Sequence, residues 1–238
     1  MVTIAIDTSH PVGTTALARD GVVLGEARFD SPSSHLVELS KAIERLLASS
    51  NLTMRDVDRI AVVLGPGSFT GVRIAVSFAK GLAAAGAQVV AMDSLRLLAL
   101  PFFDQGRARV CAMIDAKRGE VYGALFERAS GSVEAVVAPS AGSAAKLLEA
   151  IATAPDVFAG TGALAHRDEI LARFPRAEVA GEARANPSTT YFASIAHHLP
   201  ALARDAVRAL EPVYLRASGA ERKRLRAHAP EPGASGDD

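Results

Sequence analysis

The stretch VCAMID, residues 110–115, decides the fold, because it repeats TIAID at residues 3–7: an apolar strand that ends on Ile-Asp. Each is followed by two more runs of strand character, TTALA and VVLGEARF after the first, EVYGALFE and VEAVVA after the second. The first set leads into helical spacing at Leu36, Leu39, Ile43, Leu46 and Leu47, then a strand over 60–64 and a helix over 70–85. The second leads into a helix near 143–152, the strand VFAG, and a helix over about 187–202. Two β-β-β-α-β-α units in tandem predict a duplicated α/β fold of two mixed-sheet lobes, residues 1–104 and 105–216. In such sheets ligands bind at the carboxyl ends of strands, where Asp7, Gly65 and Asp115 fall, and the cleft between lobes is the default site. Residues 217–238 lack a sustained apolar face and are rich in Ala, Gly, Pro and charge, so disorder is expected there.

The chain has 238 residues, enough for a substantial core, since chains of this size bury about 70% of their unfolded surface. Lys plus Arg and Asp plus Glu number 26 each, so no overall positive field draws nucleic acid or an anionic membrane to the whole surface. Any RNA contact has to be local or supplied by a partner. The only cysteine, Cys111, sits in an apolar run, which excludes an internal disulfide and a multi-cysteine metal site and fits a reducing compartment. MVTIAIDTS enters a strand pattern with no basic leader, and the most apolar stretch, 72–92, is interrupted by Arg73, Lys80 and Gln88. A cytoplasmic protein without a membrane span is expected.

VVLGPGSFTGVRIAVSFAKGLAAAG, residues 62–86, runs from a strand through a glycine turn into a helix. Gly65 and Gly67 allow positive φ with N–H groups turned inward, and Ser68 or Thr70 can cap the helix, an arrangement that makes an anion-binding nest. The spacing of Gly65, Gly67 and Gly71 matches neither the dinucleotide fingerprint nor a P-loop, so a tight turn made for packing explains it equally. In the helix, Ile74, Phe78, Leu82 and Ala85 form one apolar stripe and Val72, Val76, Ala79 and Ala83 a second, with Arg73, Ser77 and Lys80 between them. The second stripe calls for another helix, either the one near residues 35–49 or one from another protein.

Asp7 and Asp115 end equivalent strands, where paired acids can hold a Mg²⁺–nucleotide or polarise water, while DTSHPVG also reads as an Asx-type turn. Asp20, Asp56 and Asp58 lie beside turns and read as caps. The histidines His10, His35, His166, His197, His198 and His228 form neither H-x-x-x-H nor H-E-x-x-H, and there is no G-x-S-x-G nucleophile elbow. No metal site and no catalytic constellation emerges.

Four blocks in order, IAIDTS at 4–9, GPGSFTGVRIA at 65–75, IDAKRGEVYGALF at 114–126 and PVYLR at 212–216, resemble the TsaB (YeaZ) family of bacterial tRNA threonylcarbamoyladenosine biosynthesis proteins. The resemblance spans residues 1–216 and implies the ASKHA fold, the duplicated actin-like and sugar-kinase-like architecture. It further implies a non-catalytic partner of TsaD, the paralogue that transfers a threonylcarbamoyl group to N6 of adenosine 37 in tRNAs reading ANN codons. TsaE, an ATPase, completes that assembly, and threonylcarbamoyl-AMP is the donor. A TsaD-like site holds its metal through H-x-x-x-H, whereas here His35 is followed by Leu39 at the second position. Lys117, Arg118 and Glu120 replace the small residues of a kinase-like phosphate loop. GTGAL at 160–164 keeps two glycines but gives no full adenosine motif.

The resemblance thus implies no cofactor on the chain alone, with ATP or ADP only at an interface with partners, and leaves Asp7, Gly65, Gly67, Ser68, Thr70 and Gly71 as vestigial anion-loop candidates. It also implies a two-helix surface that pairs with TsaD as a four-helix bundle and self-pairs into a homodimer when alone. The pool for that interface is Leu36, Leu39, Ile43, Val72, Arg73, Val76, Ala79 and Ala83. Competing readings are an ASKHA phosphotransferase using Asp7 and Asp115, and a homodimeric scaffold unrelated to tRNA. A metalloprotease is opposed by the missing second histidine. The basic cluster Arg222, Lys223, Arg224 and Arg226 reads as a solvated tail, with tRNA contact as the alternative.

Overall fold

The computed structural model describes residues 1–30, 35–129 and 131–216. The expected tail, with its basic cluster, lies outside the described residues. The first half contains β1 (Val2–Asp7), β2 (Val12–Arg19), β3 (Val22–Asp30), α1 (His35–Ser49), β4 (Arg59–Val63), α2 (Phe69–Ala84), β5 (Gln88–Met92) and α3 (Ser94–Asp104). The second contains β6 (Arg109–Lys117), β7 (Glu120–Ala129), β8 (Ser132–Ser143), α4 (Ala144–Ala150), β9 (Val157–Ala159), α5 (Thr161–Ala165), α6 (Arg167–Arg173), β10 (Glu178–Val179), α7 (Thr189–Ile195) and α8 (Arg204–Arg208).

The sheets run β3-β2-β1-β4-β5 and β8-β7-β6-β9-β10, which is one order used twice. In each, three antiparallel strands continue into two parallel ones. The tandem units therefore form two mixed five-stranded lobes, as the duplicated fold requires.

Side-chain alternation explains how each central strand is covered on both faces. In β1 and β4, Ile4, Ile6, Ile60 and Val62 face α1 and α2, packing with Leu39, Ile43, Ala75 and Ala79. The opposite face carries Ala5, Ala16, Ala18, Ala61 and Val63, and these small residues admit Phe192, Ala193 and Ala196. In β6, Val110, Ala112 and Ile114 meet Leu95, Leu98, Phe102 and Phe103 of α3. Cys111 and Met113 face Leu147, Leu148 and Ile170 of α4 and α6.

Two helices thus cross over. α3, from the first half, packs mainly on the second sheet, and α7, from the second half, packs on the first. A boundary after residue 104 separates the sheets but not the helices that cover them.

The segment expected as one helix to residue 202 is shorter. α7 gives way to a 3-10 turn over Ala196–His198. Pro200 disfavours helix at the residue before it, and the Arg59 guanidinium captures the carbonyls of Ala196 and Leu199.

The second stripe of α2 is covered within the chain. α2 lies on β4, β1 and β5 and is flanked by α1 and α8. Val72, Val76 and Ala79 are only 1%, 4% and 0% exposed, and Leu39 and Ile43 are 0% and 1% exposed. These five of the expected interface residues are therefore core, buried by the chain itself. Leu36 and Arg73 are exposed, and Ala83 is half-buried.

Candidate functional site

β1 ends on Asp7, and its chain continues directly over the glycine turn that opens α2. Ser9 Oγ donates to Asp7 Oδ1 at 2.6 Å, and Ser9 N–H donates to the same oxygen at 2.8 Å. His10 Nδ1 lies 3.2 Å from Asp7 Oδ2 and 2.9 Å from Ser9 Oγ. Ser94, the first residue of α3, brings its Oγ to 3.3 Å from Ser9 Oγ. Burial alone raises the Asp7 pKa, but the His10 imidazole and the Ser9 donors outweigh it and hold the carboxyl below its ordinary value.

The glycines of the turn serve close approach. A Cβ on Gly67 would lie 2.3 Å from Ser9 O, and one on Gly71 would lie 1.7 Å from Thr8 O. Of the glycines expected to take positive φ, Gly65 does so at +89° and Gly67 does not, because its requirement is space for Ser9. Ser68 is the helix cap, its Oγ accepting from Gly71 N–H at 3.2 Å. The Ser68 N–H donates to Ser9 O at 2.7 Å, and Thr8 Oγ1 donates to Gly71 O at 2.6 Å. Thr70 is exposed. Asp7, Gly65, Gly67, Ser68 and Gly71 thus come together, and two N–H groups of the turn are bonded to the chain itself.

The equivalent loop of the second lobe is also self-occupied. Asp115 Oδ1 accepts from Lys117 N–H and Oδ2 from Lys117 Nζ, both at 2.7 Å. The lysine hydrogen bond holds the Asp115 carboxyl below its ordinary value. Lys117 and Arg118 take positive φ, +65° and +61°, which turns the chain tightly between β6 and β7. Each aspartate is therefore held by partners within two or three residues. Asp58 accepts from Val2 N–H, and Asp56 caps the turn at Thr53, as turn-side aspartates do. Among the described residues, no three His, Cys, Asp or Glu side chains come together as a metal-ligand set.

Sequence reasoning missed two features. Asp93 caps α3 through Arg96 N–H at 2.8 Å, and burial raises its carboxyl pKa; an aspartate before a helical apolar run was the available signal.

The second is an exposed aromatic cluster. Phe69 stacks on Tyr214 with ring centroids 4.9 Å apart, and the Arg73 guanidinium lies 3.9 Å from the Phe69 centroid. Arg73 Nε also donates to Tyr214 Oη at 2.8 Å. Phe69 and Tyr214 are 38% and 42% exposed. Residues 69 and 214 are too far apart in sequence for any local pattern to pair them. β3 and β4 are both parallel to β1, and α1 and α2 both return over the same face. The helices therefore start at the same end of the lobe, where Leu36 and Val37 are 50% and 48% exposed.

Known proteins resemble this chain over most of its length. The family model for TsaD, tRNA N6-adenosine threonylcarbamoyltransferase, matches residues 30–224. The tRNA threonylcarbamoyladenosine biosynthesis protein TsaB of Bacillus subtilis (strain 168) is 32% identical over 231 residues, covering 94% of this chain and 97% of that protein. The TsaB protein of Escherichia coli (strain K12) is 35% identical over 145 residues, 57% of this chain and 62% of that protein. The solved structure of YeaZ from Pseudomonas aeruginosa matches with a TM-score of 0.67 at 27% identity, covering 90% of this chain and 99% of that one. With nearly the whole of both chains aligned to the Bacillus protein, this chain belongs to the TsaB family.

Proposed function

We propose that this chain is the non-catalytic subunit of a cytoplasmic assembly that makes threonylcarbamoyladenosine at position 37 of tRNA. In this reading it binds and activates a TsaD-type threonylcarbamoyltransferase, together with a TsaE-type ATPase. The observation that carries the reading is the contrast between the two sites. The carboxylates of Asp7 and Asp115, after β1 and β6, are bonded to their own loops, whereas Leu36, Val37, Phe69, Arg73 and Tyr214 stand exposed at the helix starts. Aromatic and arginine side chains on an apolar surface are the usual anchors of a protein interface.

The docking surface is therefore assigned to Leu36, Val37, Phe69, Arg73 and Tyr214, and Ala83, in the last turn of α2, is left outside it. Leu39, Ile43, Val72, Val76 and Ala79 support it from beneath. The stack pre-organises the arginine: its guanidinium is held over Phe69 and by Tyr214, so little rotamer freedom is lost on binding. Without its partner the same apolar surface pairs with a second copy. The chain binds no nucleotide on its own in this reading, and ATP or ADP enters only where partners complete a site.

Nucleoside analysis of tRNA from a reaction containing TsaD-type and TsaE-type subunits, threonylcarbamoyl-AMP and ATP tests the proposal. Modified adenosine is expected only when this chain is present. Equal yield in its absence removes the activating role.

A further inference from the structure

A second surface lies at the opposite end of α2. A cleft of about 630 Å³ there is lined by Lys80, Val89, Leu202, Arg204, Val207 and Arg208 together with alanine and glycine positions of the α2–β5 turn. Its charge is one-sided: three cations and no carboxylate. Lys80 and Arg204 have no side-chain ion pair or hydrogen bond among the described residues. Arg208 reaches the neighbouring Asp205 at 3.4 Å, but the two side chains are 81% and 95% exposed, so that pair is solvated and weak. Arg204 and Arg208 stand four residues apart on α8, which puts both on one face beside Lys80 of α2.

We propose that this cleft holds the phosphate backbone of RNA, which rests on the tRNA-modification reading above. Unpaired guanidinium and ammonium groups on an otherwise charge-balanced chain are a local anion site, and arginine matches phosphate oxygens two at a time. The floor argues against an acidic protein segment as the occupant. Val89 and Val207 are already buried, at 1% and 7%, leaving the half-buried Leu202 among alanines and glycine as the accessible apolar surface. Such a floor offers no pocket for the large anchors that carry protein interfaces. The lining has no aromatic ring, so bases are not stacked and contact is to phosphate without sequence reading. The cleft borders the last turn of α2, while the aromatic cluster lies at its first, so one helix serves partner and RNA at opposite ends.

The test is fluorescence anisotropy with a labelled, unmodified tRNA transcript, using the full chain alone and with its TsaD-type partner across a salt series. Arg204→Glu with Arg208→Glu is expected to weaken binding about tenfold or more, and to flatten the slope of log K against log salt by about one or two. Arg204→Gln with Arg208→Gln, compared by thermal melting, guards against a folding defect and is expected to reproduce the flatter slope. Unchanged affinity and slope overturn the proposal, as does loss of binding only when Arg222, Lys223, Arg224 and Arg226 are neutralised. Cleft-dependent binding of poly-glutamate with no binding of tRNA identifies an acidic protein as the occupant and likewise overturns it. If the wild-type chain and its complex leave tRNA unbound while modified adenosine still depends on the chain, this inference fails and the activating role stands.

Discussion

At the residue scale, the glycines of α2 separate two kinds of requirement. Gly71 meets Thr8 O at a distance no Cβ tolerates, whereas Gly81 in the same helix has nothing within 4 Å. Gly71→Ala is therefore expected to destabilise by about 1–3 kcal/mol or more through forced displacement of the β1–β2 loop. Gly81→Ala is expected to stabilise by about 0.4–1 kcal/mol, because the helix keeps its shape while the unfolded chain loses freedom. Urea unfolding of both variants checks the pair. Asp7 supplies a pH signature. Its carboxyl is held below the ordinary value of 3.8 in the folded chain, so on acidification the unfolded chain takes up the proton first. The stability it contributes is complete above the ordinary carboxylate range and is lost as pH falls through the folded value. The difference in unfolding free energy between wild type and Asp7→Asn should shrink below about pH 4 and hold steady above about pH 6; a constant difference would show that the charge is irrelevant. The glycine spacing and the Asp-Thr-Ser turn were legible in sequence. That Thr8 and Ser9 fill the space opened by Gly67 and Gly71 was not, because the contact joins residues 63 positions apart.

At the element scale, the crossing of α3 and α7 ties the lobes together. Phe192 is fully buried on the alanine face of the first sheet, far in sequence from the strands it covers. Phe192→Ala is expected to cost about 3–5 kcal/mol, and the location of the damage is the discriminating readout. Hydrogen exchange should accelerate in β1 and β2, which α7 covers, before it does in β7 and β8. Faster exchange confined to the second sheet would show that the helices do not carry the coupling inferred for them. Sequence periodicity found β1 to β4, β6 to β9 and the helices α1, α2, α4 and α7, because each one's burial pattern is local, but it missed β5, α3 and β10. It left open which sheet a helix covers, since α3 and α7 have apolar faces that suit either. The short helices α5 and α6 were not found, because five- and seven-residue helices carry too few turns for a period to emerge.

At the scale of the whole molecule, core and contact surface lie on the same helix, and this sets the last prediction. A double-striped α2 pointed from sequence toward a partner, and the chain buries Val72, Val76 and Ala79 of the second stripe while Ile74, Phe78 and Leu82 of the first are half-buried. What remains outside is a narrower set, drawn from the helix starts and from Tyr214 near the end of the described chain. Amphipathic spacing ranks residues by apolarity, and the most apolar positions are those the core takes first. The two classes should therefore separate by experiment. Val76→Arg places a charge where only 4% of the residue is exposed, and is expected to lower thermal stability and partner binding together. Phe69→Glu removes one face of the aromatic stack on a residue already 38% exposed, so its melting temperature should change little. Its affinity for a TsaD-type subunit, measured by calorimetry, should fall by about tenfold or more if Phe69 is an anchor, since each such anchor is worth about 2 kcal/mol. Self-association measured by sedimentation should weaken in the same variant, because one surface serves both pairings. Full affinity in Phe69→Glu with normal melting would move the interface off the start of α2.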